Sequence, residues 1–437
     1  MDNQLAYIDQ GSFLAMRALG HEPVQQLVWL YGHDVNVERL REIHRNLGHT
    51  LLGRRIERSP LPFGRHRWVS APDQSELLVS PARPRAELTD WMDEIGTMGV
   101  DPERGPAWRM AVVPFTDGGA AVTLVVSHSV ADVGGILFSI FGALAGVKAD
   151  LGYPPSGSRM RRRALREDVR EFRGAVPDIR HGVKAALPVL REGRPASPRP
   201  ASPARTRDTT TAIRPSVFAF VPTEEWDARA KEIGGNSGSL VAGFAVRLGS
   251  LMGQGRPDGS VTLNFPVSDR GDGDTRANAL TGMTVSADPD EVLTNLAKLR
   301  ADMKAGLKEV AAESNAALAA LPLVLLTPKR VVRRLEWLAL GDGPVVGCTN
   351  MGDLPEALTQ LDGTPAEFLF ARGVEWPIGP AGLDRIGNWL LVGSCRLNGK
   401  VLLMVTAWQV GTSNTREQLG DLIGRAVADF GLSATFI

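Results

Sequence analysis

The clearest periodic segment of the chain lies between residues 36 and 47. Val37, Leu40, Ile43 and Leu47 recur at spacings of three and four, and Gly48 follows them. This spacing places the apolar side chains on one face of a helix, and glycine is frequent just after a helix ends. The pattern therefore predicts an amphipathic helix that stops near Gly48.

Two apolar runs, residues 109–115 and 121–128, are separated by the sequence TDGGA. A short glycine-containing turn between two such runs predicts an antiparallel hairpin. The second run is apolar at odd and even positions alike, which is typical of a central strand covered on both faces. Gly134 and Gly135 then precede an apolar segment over 136–147, which predicts a buried helix.

The middle of the chain changes composition. Residues 161–173 are rich in charge, with three arginines in a row, and predict a solvated helix face. Residues 192–211, EGRPASPRPASPARTRDTTT, have no hydrophobic periodicity and are typical of an extended linker. We therefore predict one lobe over 1–190, a linker over 191–212 and a second lobe over 213–437.

The second half repeats the mixture of strands and helices. Its pattern predicts, in order, a strand over 217–221, a helix capped by Thr223, a buried helix over 239–251, a strand over 261–267, a helix over 290–310, a hairpin turning at Asn398–Gly399 and a final helix over 415–430. Strands and helices do not alternate strictly in either half. This order favours two α/β lobes with mixed sheets over a doubly wound parallel sheet.

Composition excludes several classes of protein. Lys+Arg and Asp+Glu both number 49, so the chain lacks the basic excess of a nucleic-acid binder. Its two cysteines, Cys348 and Cys395, cannot form a cysteine zinc site and are expected to be small buried residues. No signal peptide is evident, and no apolar run reaches the length of a membrane-spanning helix, so we expect a cytoplasmic protein without integral membrane association. The apolar stretch 316–326, near Lys329, Arg330, Arg333 and Arg334, leaves open a peripheral membrane contact.

One segment carries candidate chemistry. VTLVVSHSVADVGGI, residues 122–136, ends an apolar run at Ser127 and His128 and places Asp132 four residues after the histidine. A strand that ends in a histidine can deliver a base to a cavity. In a chain with seven histidines this spacing alone proves little, so the surrounding segments have to decide.

The surrounding segments resemble a known family. Residues 99–135, GVDPERGPAWRMAVVPFTDGGAAVTLVVSHSVADVGG, are similar to wax ester synthase/diacylglycerol acyltransferase-like proteins, in which a PLDxxxPLW segment leads through a hairpin to HHxxxDG. The wider superfamily includes condensation domains of nonribosomal peptide synthetases, polyketide-associated acyltransferases and chloramphenicol acetyltransferase. Three further segments match in order: AYIDQGSFL, FPVSDRGDGDTRANALTG with Pro266, Arg270 and Asn278, and CTNMGDLP with Thr349, Asn350 and Gly352. The resemblance covers almost the whole chain.

The resemblance implies two chloramphenicol-acetyltransferase-like lobes with an active-site tunnel between them. It implies that His128 is the general base, and that Asp132 points away from the tunnel and pairs with Arg270. Candidate contacts to substrate or oxyanion are Ser127, Gly134, Thr349 and Asn350, and Trp376 and Trp408 are candidates for the tunnel lining. No metal and no permanent cofactor is implied, because acyl-CoA or a phosphopantetheinyl carrier protein would bring the acyl group as a thioester.

Two departures from the motif matter. Ser127 replaces the first histidine, and Val133 replaces the glycine after the acid, where a β-branched residue cannot readily adopt a positive φ. We predict an acyltransferase that joins a thioester-bound acyl group to a small-molecule hydroxyl or amine acceptor in bacterial natural-product biosynthesis, antibiotic biosynthesis included. One alternative is a lipid acyltransferase that makes wax esters or triacylglycerols. The other is a catalytically degenerate member that binds a carrier protein or a hydrophobic ligand.

Overall fold

The computed structural model describes residues 3–72, 75–149, 151–191, 211–271, 273–313, 319–328, 331 and 345–437. The helices are α1 (Tyr7–Leu19), α2 (Val37–Leu47), α3 (Leu88–Gly96), α4 (Val133–Leu144), α5 (Arg161–Arg191), α6 (Thr223–Glu232), α7 (Ser237–Leu251), α8 (Ala297–Glu313), α9 (Pro380–Ile386) and α10 (Arg416–Asp429). Short 3-10 turns cover Leu51–Gly53, Arg85–Glu87, Glu291–Leu293, Leu321–Leu326 and Glu356–Thr359.

Within the described residues, the strands form two large mixed sheets and one small hairpin. They are β1 (Glu22–Tyr31), β2 (Arg54–Glu57), β3 (Arg67–Ser70), β4 (Leu78–Val79), β5 (Trp108–Pro114), β6 (Ala120–Ser127), β7 (Ser216–Pro222), β8 (Val261–Ser268), β9 (Leu280–Ala287), β10 (Val345–Asp353), β11 (Phe368–Trp376), β12 (Trp389–Leu397), β13 (Lys400–Trp408) and β14 (Thr435–Phe436). The first sheet has the order β11-β1-β6-β5-β4 and the second β14-β7-β13-β12-β10-β8-β9, while β2 pairs with β3. Each large sheet combines parallel and antiparallel pairs, which confirms the predicted α/β class with mixed sheets.

The predicted hairpin is present at the centre of the first sheet. β5 and β6 are antiparallel, with Trp108 opposite Val126 and Pro114 opposite Ala120. Every residue of β6 is buried, as the run of apolar residues on both faces indicated. β1 pairs with the other edge of β6, so β6 is enclosed by strands on both sides and holds its last residue, Ser127, firmly in the sheet.

One strand of the second half completes the sheet of the first half. β11 runs antiparallel to β1 along nine residue pairs, from Glu22 opposite Trp376 to Leu30 opposite Phe368. Two side chains of β1 also form hydrogen bonds with the 3-10 turn before β11. Trp29 Nε1 donates to the Leu358 carbonyl at 2.7 Å, and Tyr31 Oη donates to the Thr359 carbonyl at 3.0 Å. The two halves of the sequence therefore share one sheet.

Several local predictions are confirmed, and three need correction. The buried helix predicted over 136–147 is α4, but Phe138 is 62% and Phe141 37% exposed, so only one face of this helix is buried. The helices predicted over 36–47, 239–251 and 415–430 are α2, α7 and α10. α6 begins at Thr223 itself, and no side chain caps it, so the predicted threonine cap is wrong. The helix predicted over 290–310 starts only at Ala297, since residues 291–293 form a separate 3-10 turn.

The division at residues 191–212 stays a prediction, because 192–210 lie outside the described residues. Of the apolar stretch 316–326, the described part forms the 3-10 turn Leu321–Leu326, and Leu325 packs against Ala175 and Ile179 of α5. The basic residues of that prediction, Lys329, Arg330, Arg333 and Arg334, lie outside the described residues. Among the helices that the structure does describe, none is both long and apolar enough to cross a membrane.

Candidate active site

His128 lies in the turn that follows β6 and precedes α4. Its backbone N–H donates to the Pro23 carbonyl of β1 at 2.9 Å, and its own carbonyl accepts from Asn278 Nδ2 at 3.3 Å. The side chain is half-buried, and no described residue forms a hydrogen bond with the imidazole. The backbone of His128 is thus held by both halves of the chain, and within the described ranges neither ring nitrogen has a hydrogen-bond partner.

Asp132 ends the same turn and caps α4. Its Oδ1 accepts from the Gly135 N–H at 2.7 Å and from Arg270 Nη2 at 2.8 Å, and its Oδ2 accepts from the Ala279 N–H at 2.9 Å. Its backbone N–H donates to the Ala277 carbonyl at 2.8 Å. Both carboxylate oxygens are therefore occupied, and Asp132 joins the histidine turn to the segment 274–279 of the second half.

Arg270 completes this connection. Its Nη1 donates to the carbonyls of Asp274 and Arg276 at 3.1 and 3.0 Å, and its Nη2 also donates to that of Ala277 at 3.2 Å. The structure thus brings together Asp132 and Arg270, with 2% and 12% of their side chains exposed. One guanidinium binds the acid of the motif and also closes the loop that follows β8.

A second buried acid supports the same segment. Asp9 in α1 accepts from the backbone N–H of Ala277 at 2.9 Å and from that of Asn278 at 2.8 Å. Burial raises the pKa of Asp9, and these two backbone donors act in the opposite direction. Because Asn278 also binds the His128 carbonyl, Asp9 helps to hold the partner of the histidine turn.

Arg54 of β2 is a fully buried cation between the two segments. Its Nη2 donates to the Val130 carbonyl at 2.8 Å, and its Nη1 donates to that of Thr275. Its guanidinium also stacks over the Trp68 ring, with Cζ 3.8 Å from the ring centroid, an arrangement typical of a cation–π contact. Arg54 therefore links the histidine turn to the 274–279 segment at a point that Asp132 does not reach.

The two departures from the motif have different structural outcomes. Val133 is the first residue of α4 and is not among the described residues with a positive φ, so this fold does not require a glycine there. Gly134 is exposed in the first turn of α4, and the N–H of its neighbour Gly135 is already taken by Asp132. Ser127 is buried and donates to Glu22 Oε1, while its own oxygen accepts from the Ser129 N–H at 3.2 Å.

The remaining candidates are less closely associated with the histidine. Asn350 is exposed, its Oδ1 accepts from the Gly352 N–H at 2.9 Å, and no described contact joins it or Thr349 to the His128 turn. Trp376 pairs with Glu22 at the end of β11, next to that turn. Trp408 is 8% exposed and donates from Nε1 to Asp384 at 2.9 Å, so its polar edge is held by α9.

Sequence reasoning missed Asp9, Arg54 and Glu22 as parts of the site. Asp9 lies in the AYIDQGSFL segment and could have been found there as the one acid of an otherwise apolar and polar-neutral motif. Arg54 and Glu22 carry no local signal, because their burial depends on segments far away in the sequence. Within the described ranges, no group of three or more His, Cys, Asp or Glu side chains could hold a metal ion.

No protein-family model and no curated protein matches this sequence. Solved structures do match. The first condensation domain of the CDA synthetase is 12% identical with a TM-score of 0.59, covering 100% of this chain and 98% of that one. Polyketide synthase associated protein 5 from Mycobacterium tuberculosis is 14% identical with a TM-score of 0.55, covering 97% of both chains.

The chain has a condensation-domain-like fold. The nonribosomal peptide synthetase FmoA3 matches as well, at 20% identity and a TM-score of 0.53, over 98% of this chain and 42% of that one. These likenesses confirm the fold that the SHSVADV and PVSDR segments implied. Because the sequence identities are low, they establish the condensation-domain-like fold alone, and the tunnel and the roles of the site residues stay predictions.

Proposed function

We propose that this chain is an acyltransferase that joins a thioester-bound acyl group to a hydroxyl or amine acceptor, with His128 as general base. The observation that carries the proposal is the position of His128. Its N–H and carbonyl are both hydrogen-bonded, and its imidazole has no partner among the described residues. A histidine with a fixed backbone, and with no partner for its ring nitrogens in the described part of the chain, suits proton abstraction from an attacking nucleophile.

Asp132 has a structural role in this proposal. A general base needs a lone pair directed at the substrate, and the oxygens of Asp132 accept from Arg270, Gly135 and Ala279 instead. Asp132 and Arg270 hold the turn that carries His128 against the second half of the chain. The base is therefore the histidine, and the acid maintains its placement.

The other requirements of acyl transfer are modest. A thioester already carries a good leaving group, so the tetrahedral oxyanion mainly needs a hydrogen-bond donor. We assign this role to the Gly134 N–H, since Gly134 is exposed at the start of α4 and the Gly135 N–H is occupied. Acyl-CoA or a phosphopantetheinyl carrier protein would deliver the thioester, and the acceptor would be a small molecule.

The structural likeness to nonribosomal peptide synthetase condensation domains supports a role in natural-product biosynthesis over the lipid branch. The test uses octanoyl-CoA with a panel of primary amines and alcohols, and follows free CoA and acylated product by mass spectrometry. His128→Ala should lower turnover at least about 100-fold. His181→Ala, which removes an exposed histidine of α5, is the matched control and should behave as wild type. Equal turnover by His128→Ala and wild type would exclude this mechanism.

One observation favours the non-catalytic alternative. Ser127 stands at the first histidine of the resembled motif, and its hydroxyl group is engaged inside the protein. If purified protein carries a bound hydrophobic ligand or a carrier protein and gives no turnover that depends on His128, the binding function replaces the acyltransferase.

A further inference from the structure

The hydroxyl group of Ser127 connects a buried acid to the histidine turn. It donates to Glu22 Oε1, and it accepts from the Ser129 N–H at 3.2 Å. Ser127 is fully buried and Glu22 is 7% exposed. A hydroxyl has one proton to donate, so the bond to Glu22 turns its lone pairs toward the Ser129 N–H.

Strand register places Glu22 at the end of β6. Val24 lies opposite Ser127, and Glu22, two residues earlier on β1, points to the same face of the sheet. Pro23, between them, accepts the His128 N–H. The carboxyl group therefore reaches Ser127 from the strand that also fixes the backbone of the histidine.

The turn itself depends on Ser127 at two atoms. The Ser127 carbonyl accepts from the Val130 N–H at 3.0 Å, and its Oγ accepts from the Ser129 N–H. These bonds close residues 127–130 around His128. Loss of either bond would free the backbone next to the imidazole.

Glu22 occupies an unusual environment for a carboxyl group. Its Oε2 is buried, and among the described residues it has no hydrogen-bond partner. Burial raises the pKa of Glu22 to about 8, so the group is mostly neutral at pH 7. A neutral carboxyl group can accept a hydrogen bond from the Ser127 hydroxyl group without the desolvation cost of a buried charge, and a glutamine amide would offer the same acceptor.

We propose that Glu22 is a positioning residue that acts through Ser127 to order the turn carrying His128. The Ser127–Glu22 pair thereby occupies the place of the first histidine of the resembled motif. This inference rests on the proposed role of His128 as a base. In this view, the serine that replaces the first histidine of the motif is compensated by Glu22 on β1.

The experiment compares Glu22→Ala, Glu22→Gln and Ser127→Ala at pH 7. Thr123→Val is the matched control, because Thr123 is also a buried hydroxyl residue of β6, but its hydroxyl group donates to the Leu27 carbonyl and accepts from Gln26, away from the turn. Native-state hydrogen exchange of the Ser129 amide is the first measurement. We expect exchange about tenfold faster in Glu22→Ala and Ser127→Ala, and wild-type exchange in Glu22→Gln and Thr123→Val.

Turnover of octanoyl-CoA is the second measurement. Both alanine variants should lose kcat by about tenfold at unchanged KM, while Glu22→Gln keeps it, because positioning affects the chemical step more than binding. Wild-type Ser129 exchange in Glu22→Ala would overturn the inference, as would a Glu22→Gln variant that behaves like Glu22→Ala. If the enzyme proves inactive, the exchange data still decide whether Glu22 orders the turn. If Glu22→Ala does not fold, Glu22→Met, which keeps the side-chain volume but offers no hydrogen-bond acceptor, is measured in its place and should also show faster Ser129 exchange; wild-type exchange in it would overturn the inference.

Discussion

Replacement of Asp132 by alanine should destabilise the whole protein. The change removes a cap bond to Gly135, a bond to Ala279 and the ion pair with Arg270, and it leaves the Arg270 guanidinium with only 12% of its side chain exposed. Removal of one partner from a buried pair costs about 3–5 kcal/mol, chiefly because the remaining charge has lost its compensation. We expect the free energy of unfolding to fall by about that amount.

The assay is urea unfolding followed by tryptophan fluorescence. Glu42→Ala is a suitable control, because the Arg39–Glu42 pair has a comparable N–O distance of 2.6 Å but the Glu42 side chain is 50% exposed. An exposed pair contributes only about 0–1 kcal/mol. The double variant Asp132→Ala/Arg270→Ala should lose less than the sum of the two single variants, since no uncompensated guanidinium remains beside the turn. If Asp132→Ala costs no more than Glu42→Ala, the buried Asp132–Arg270 pair does not stabilise the fold, and this prediction is wrong.

Three further outcomes follow from buried groups. Burial raises the pKa of the Glu22 carboxyl from its ordinary value of 4.5 to about 8 in the folded state, where the charge of Asp101 also raises it and that of Arg17 lowers it, so the folded state keeps the proton to higher pH than the unfolded state does. Wild-type unfolding free energy should therefore fall relative to that of Glu22→Gln as pH rises from 5 to 8, by up to about 1.4 kcal/mol per pH unit; a constant difference would contradict this. Asp9→Ala should lower the free energy of unfolding in urea by about 2–4 kcal/mol, because the N–H groups of Ala277 and Asn278 lose a buried acceptor. A decrease below about 0.5 kcal/mol would show that Asp9 does not hold this segment. Burial raises the pKa of both cysteine thiols to about 12, so Ellman's reagent should label neither in the native protein and both after unfolding.

Elements set by local sequence could be predicted well. The β5–β6 hairpin follows from its glycine turn, and the β12–β13 hairpin follows from Asn398 and Gly399. These two residues have φ values of 50° and 70°. Asparagine and glycine tolerate such positive values better than other residues do. Cys348 and Cys395 are buried in strands β10 and β12, as expected from their type. In each case the signal lies in the residue type itself or in its immediate neighbours.

Elements set by distant partners could not be predicted. β1 carries Gln25 and Gln26 within an otherwise apolar run, and its place beside β6 depends on buried partners such as Thr123 and Arg372, which bind Gln26. β11 lies in the second half of the sequence but pairs with β1 in the first sheet. The hydrophobic periodicity of a strand does not indicate which sheet it joins. Arg54 likewise has no local sequence signal of burial, because the residues that bind it, Val130 and Thr275, are distant in the sequence.

The pairing of β11 with β1 also sets an order for folding during synthesis. The ribosome synthesises β1 and β6 long before Trp376 emerges. Until then, the edge of β1 that pairs with β11 in the folded protein has unpaired N–H and C=O groups. Such an edge can recruit another chain, and charges or chaperones commonly protect it. A fragment that ends before β11 should therefore self-associate, and a separately supplied peptide of residues 368–376 should suppress that association.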